Sequence, residues 1–166
     1  MRTIMSNSIY LPMAAVFLSA ALAGPALADD KLVPFSGTLQ AQESPSPGPS
    51  PGTLVFDGTG GGIATQLGRF TVTWHFTVNL ALGSGSGPIH YIAANGDDIF
   101  ATVVGQAEPT STPGVFQIIE VQTITGGTGR FANATGSFIV ERLEIFAIGF
   151  SSGSFHGTIT SPGSGK

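Results

Sequence analysis

Few side chains in this sequence are equipped for chemistry, and the notable ones lie inside apolar runs. Glu120 interrupts VFQIIEVQTI, and Glu141, Arg142 and Glu144 interrupt FIVERLEIF. His75 sits within RFTVTWHFTVNL. A carboxyl among apolar neighbours needs a partner or takes an upward pKa shift, which makes it an acid/base candidate. Imidazole titrates near neutral pH, so a lumen-facing His75 is a third candidate. Successive strand residues face opposite sides, so Arg142 and Glu144 share one face and Glu141 takes the other. The candidate catalytic residues are therefore Glu120 and Glu141, facing each other across adjacent strands as acid and base, with His75. The competing reading places all three on a solvated outer wall or in links between subunits.

Other chemistries lack their residues. His75, His90 and His156 are the only histidines, they are far apart, and there is no cysteine, so no zinc-site spacing exists. Asp97 and Asp98 follow a turn without a calcium-loop pattern. No G-x-S-x-G elbow appears. Gly127–Ala132 satisfies G-x-G-x-x-A by letters, but that motif must open a helix whose N-terminus holds a phosphate. Here the strand pattern Ser137-Phe138-Ile139-Val140 follows instead. No cofactor and no metal is expected.

The elements that must position these residues read as β-strands. In RFTVTWHFTVNL, Phe70, Val72, Trp74, Phe76, Val78 and Leu80 alternate with polar residues, the period of a half-buried antiparallel strand. The same reasoning predicts strands over Lys31–Gln42, Thr53–Asp57, Ile63–Gln66, Ile89–Ala94, Asp98–Gln106, Val115–Thr125, Gly136–Ile148 and Phe150–Thr160. Between them, 43–52 (with SPSPGPSPG) is predicted as a solvated loop because proline has no amide donor. Gly58–Gly62 and Ala81–Pro88 are predicted as flexible connections, and Asn95-Gly96 as a hairpin of type I′ character. No helical periodicity follows the N-terminal segment, so one or two short helical turns are the most expected. Eight to nine strands suit a barrel that holds either packed side chains or one small ligand.

The stretch TITGGTGRFANATGSFIVE predicts two neighbouring strands joined by an ordered turn. Gly126, Gly127 and Gly129 permit a sharp turn, Phe131 is placed to plug one end of a β structure, and Gly136 suits a bulge as the next strand starts. GGTGRFANATGSF resembles the GGTG-x-F signature of dirigent proteins and the related segment of allene oxide cyclases. Thr65–Thr71 (TQLGRFT) and Ala94–Phe100 (ANGDDIF) resemble bacterial members of the allene oxide cyclase barrel-like group. The resemblance implies an all-β fold, a single antiparallel eight-stranded β-barrel, and a homo-oligomer, as a trimer. It carries no catalytic residue over to this chain.

Residues 1–28 read as an export signal: Arg2, an apolar run over Ala14–Ala23, and Ala26-Leu27-Ala28 before Asp29. The expected organisation is a signal over 1–28, a barrel domain over 29–160 and a disordered tail over 161–166, in the periplasm or outside the cell. Removing the signal leaves five basic against ten acidic residues and no basic patch, which argues against nucleic acid or anionic lipid as a partner. The expected function is binding of a small apolar molecule or a partner. Two alternatives stand beside it: a cofactor-independent isomerase or cyclase, which rests on the resemblance, and a structural envelope protein working through oligomer faces.

Overall fold

The computed structural model describes residues 31–163. The expected signal over 1–28 and residues 164–166 of the expected tail lie outside the described residues. Eight strands run in chain order, each antiparallel to the next, and the last pairs with the first to close a barrel. They are β1 (Leu32–Pro47), β2 (Thr53–Ala64), β3 (Gly68–Asn79), β4 (Ser84–Ala93), β5 (Asp98–Pro109), β6 (Val115–Gly127), β7 (Gly136–Ile145) and β8 (Phe150–Thr160). The helical content is two single 3₁₀ turns, Gly129–Phe131 and Phe146–Ile148. The all-β reading, the antiparallel barrel and the pairing of the two strands around the glycine stretch hold in this structure.

Three segments expected as loops are strand. Ser44–Pro47 continues β1, with Pro45 opposite Phe56 and Pro47 opposite Leu54. The reason lies in which way the amides point. Gly48 N–H donates to Thr53 on β2, whereas Glu43 N–H donates to Gly149, the residue just before β8. Even-numbered amides thus face β2 and odd-numbered ones face β8. Pro45 and Pro47 fall at odd positions beyond Gln42, where β8 stops pairing, so the missing donors cost no ladder bond.

The run Gly58–Gly62 is the interior of β2 rather than a turn. A Cβ at Gly58 would strike the Trp74 indole, and one at Gly60 would strike Ala41 and the Gln40 carbonyl. Glycine here makes room for a ring and a neighbouring strand. Ser84–Pro88 likewise belongs to β4, leaving Leu80–Gly83 as the connection. At Asn95-Gly96 only Gly96 has positive φ, and Ala93 N–H bonds Asp97 O while Gly96 N–H bonds Ala93 O. That is a three-residue connection with one left-handed glycine, not a type I′ pair. Of the expected tail, Ser161 and Gly163 are tied down by amide bonds to Lys31 O and Arg130 O.

The inner wall alternates with the outer along every strand, and the two ends of the barrel differ. One end is filled by rings: Phe35 packs edge-on against Phe138 at 4.9 Å, and Phe155 lies 5.2 Å from Phe35. Phe131, carried by the first 3₁₀ turn, is buried in the same cluster and seals this end. Gly129 holds that turn at φ +55°, with its α-carbon facing the Asp97 carboxylate, and Gly126 and Gly136 also have positive φ. The glycine stretch is therefore a structural closure. The opposite end, framed by the β1–β2, β3–β4, β5–β6 and β7–β8 connections, is where the lumen opens.

Candidate functional site

Inward positions of β1, β3, β4, β6, β7 and β8 deliver polar groups to the middle of the lumen. Glu43, Glu120, Gln122, Arg142, Glu144 and Ser151 are all buried. Arg142 organises them. Its Nε and Nη2 each lie 3.0 Å from Glu120 Oε1, and its Nη1 donates to Glu43 Oε1 at 3.1 Å and to Ser151 Oγ at 3.0 Å. Trp74 Nε1 donates to the other Glu43 oxygen at 3.2 Å, and the guanidinium lies 5.5 Å from the Trp74 ring. Tyr91 Oη donates to Gln122 Oε1 at 2.7 Å, and Gln122 Nε2 donates to Glu120 Oε2 at 2.9 Å. A continuous chain thus runs from Tyr91 through Gln122, Glu120, Arg142 and Glu43 to Trp74.

Charge is unevenly matched in this network. Burial alone would lower the Arg142 pKa, but the carboxylates of Glu120 and Glu43 outweigh it and hold the guanidinium charged. Burial, followed by the nearby Glu120 charge, raises the Tyr91 phenol well above its ordinary value, so it keeps the proton that it donates to Gln122. Glu144 is left over. Its carboxyl lies beside that of Glu43, and its buried Oε1 receives no hydrogen bond from any described residue. Burial, then the charge and hydrogen bond of Glu43, push its pKa up to about 8 against the pull of Arg142. At neutral pH Glu144 is a carboxylic acid rather than a carboxylate.

Above this floor lies a cavity of about 570 Å³. Its walls are apolar, with Phe56, Phe76, Val103, Phe116, Ile118 and Phe146 among them. The size falls within the range of small-molecule sites, as does the pattern of apolar walls with a few convergent polar groups. No cluster of three potential metal-binding side chains occurs among the described residues. No described helix is long and apolar enough to cross a membrane, which says nothing of a β-barrel.

The candidate residues separate. Glu120 lines the lumen. Glu141 is exposed on the outer wall, and its register partners are Ile119 and Ser154, whereas Glu120 stands opposite Val140. The expected Glu120–Glu141 pair is thus corrected: the β6–β7 register is offset by one residue from the one that pair requires, and one residue reverses the face. His75 is also on the outside, 2.6 Å from Asp57 with both side chains more than half exposed. Glu43, Arg142 and Glu144 take the places that Glu141 and His75 do not. Their signal was parity: Arg142 and Glu144 share a face with Phe138 and Val140, as Glu120 and Gln122 do with Ile118 and Ile124. Glu43 carried no such signal because the prolines after it hid the end of its strand.

No family model, no curated protein and no solved structure matches this chain.

Proposed function

We propose that this protein is an exported barrel that binds a small, mainly apolar molecule in its lumen, with one polar end of the ligand directed to the floor. The observation that carries the reading is the apolar cavity of about 570 Å³ ending on a buried, hydrogen-bonded polar floor. A barrel built only for rigidity gains nothing from such a void, because unfilled apolar volume destabilises a core. The meander order, the closing turn and its Phe131 plug support placing the barrel in the allene oxide cyclase/dirigent group. Native mass spectrometry of protein purified from the exported fraction tests the binding. A mass excess lost on denaturation is expected, and a bulky Val103→Trp substitution in the wall should abolish it. Absence of any excess, together with no change in Trp74 fluorescence across a panel of small apolar molecules, would sink the reading. The same spectrum counts subunits, with a trimer expected, and a mature mass beginning at Asp29 is expected for removal of 1–28.

A second reading has its own observation. Glu144, held protonated, and the Arg142-paired carboxylate of Glu120 form an acid and a base at one cavity floor, the division of labour that cofactor-independent isomerisation needs. Its test is protein-dependent deuterium incorporation from D₂O next to the carbonyl of a small β,γ-unsaturated ketone. Catalysis requires that this exchange be lost in Glu144→Gln.

A further inference from the structure

The charged side chains that line the cavity are Glu43, Glu108, Glu120 and Glu144 against Arg142. Four carboxyl groups thus meet a single guanidinium. That guanidinium is already engaged, at 3.1 Å by Glu43 and at 3.0 Å by Glu120. Glu144 is almost wholly buried, faces the cavity, and has an oxygen that receives no hydrogen bond. Glu108 stands exposed at the mouth, so the sign of the charge is the same at the entrance and at the floor. Phe56, Phe76, Phe116 and Phe146 add ring faces, which attract cations and do not attract anions.

From this uncompensated third carboxyl, resting on the ligand-binding reading above, we infer that the ligand is an amphiphilic amine: an apolar body with a cationic head that pairs with Glu144. A carboxylate head, as on a fatty acid, would meet three carboxyl groups and a guanidinium with no free face. An uncharged alcohol would gain one hydrogen bond and no charge pairing. An ammonium supplies the missing donor and, once Glu144 gives up its proton, the counter-charge that the ionised carboxyl needs, and charge-assisted hydrogen bonds are about twice as strong as neutral ones.

The groups facing Glu144 are Glu43 from β1, Glu120 from β6 and Arg142 from its own strand, with uncharged Ser151 on β8. An ammonium beside Glu144 favours its ionised form, so amine binding near pH 7 should release a proton from the protein. Calorimetry in two buffers of different ionisation enthalpy reads that proton directly.

The test uses three probes with one chain length: octylamine, octan-1-ol and octanoate, titrated into the mature protein at pH 7. Octylamine is expected to bind at least about tenfold more tightly than octan-1-ol, the equivalent of about 1.4 kcal/mol, with proton release, and octanoate to show no binding. Glu144→Gln should erase the preference for amine over alcohol. Glu108→Gln, at the exposed mouth, should reduce the preference without removing it, and serves if the Glu144 variant fails to fold. Octan-1-ol or octanoate binding as tightly as octylamine would overturn the amine assignment and leave the cavity reading intact. Failure of all three to bind would overturn both.

Discussion

Arg142 on β7 reaches Glu43 on β1 at 3.1 Å although the two residues are 99 apart in sequence and β8 lies between their strands. The inward positions of β8 make the span possible: Ser151 accepts a hydrogen bond from the same nitrogen, and Gly153, opposite Arg142, has no side chain to block it. The guanidinium therefore ties non-adjacent strands across the lumen. Arg142→Met should leave Glu43 and Glu120 as unpaired buried carboxylates and cost about 3–5 kcal/mol. Denaturant unfolding measures it, and a loss under about 1 kcal/mol would mean that water reaches the cluster freely.

Stability should depend on pH through Glu144. Its pKa is raised from an ordinary 4.5 to about 8 in the fold. Between these values the folded chain holds a proton that the unfolded chain has lost. The contribution of Glu144 is thus fully present below about 4.5 and is lost as pH rises toward 8. Thermal unfolding across this window should show a falling midpoint for the wild type. Glu144→Gln, which cannot ionise, should flatten the profile. Parallel profiles for the two proteins would refute the assignment.

Trp74 is the chain's one tryptophan, stacked on Phe76 at 5.7 Å and donating to Glu43. Trp74→Ala should cost about 3–5 kcal/mol, the usual range for deleting a buried indole. Trp74→Phe keeps most of the packing and removes the donor, so it should cost roughly 1–3 kcal/mol by leaving a Glu43 oxygen unsatisfied. Equal losses from the two variants would show that packing alone matters at this position.

The closed end and the open cavity should respond independently. Phe131→Ala removes the plug and should cost about 3–5 kcal/mol. Val103→Trp should fill the cavity and block ligand while leaving the ring cluster at the far end intact. Substitutions this far apart are expected to be additive within about 0.5 kcal/mol. A double variant that departs well beyond that would mean that the polar floor transmits strain between the ends.

The strands were legible where side chains alternate without interruption, as in Phe70–Val78, and the Phe131 plug was legible from the ring that follows the glycines. Glycine and proline misled for one reason. Each was read as a local conformational signal, whereas in this barrel Gly58 is set by the Trp74 ring across the sheet and Pro45 by the place where β8 stops pairing. Both are facts of the neighbouring strand. The site was half legible. Glu120 stood out as a carboxyl in an apolar run, and Arg142 and Glu144 were correctly set on one face. Parity with Phe138 and Val140 pointed to that face as the inner one, but Ile139, Leu143 and Ile145 are equally apolar on the face of Glu141, so the alternation of β7 left two candidates until its pairing with β6 was known.

The overhang of β1 past β8 has a consequence beyond this barrel. A closed sheet offers no free edge, so the rim from Ser44 to Pro47 is the one length of β1 past the end of β8's pairing. On that side Pro45 and Pro47 present carbonyls without amides, a half-ladder on which another chain cannot dock by strand addition. Replacing both prolines with valine would restore the donors and give crowded copies a template for edge-to-edge aggregation. The segment that looks like a linker thus leaves no free amide at Pro45 and Pro47 on its unpaired side.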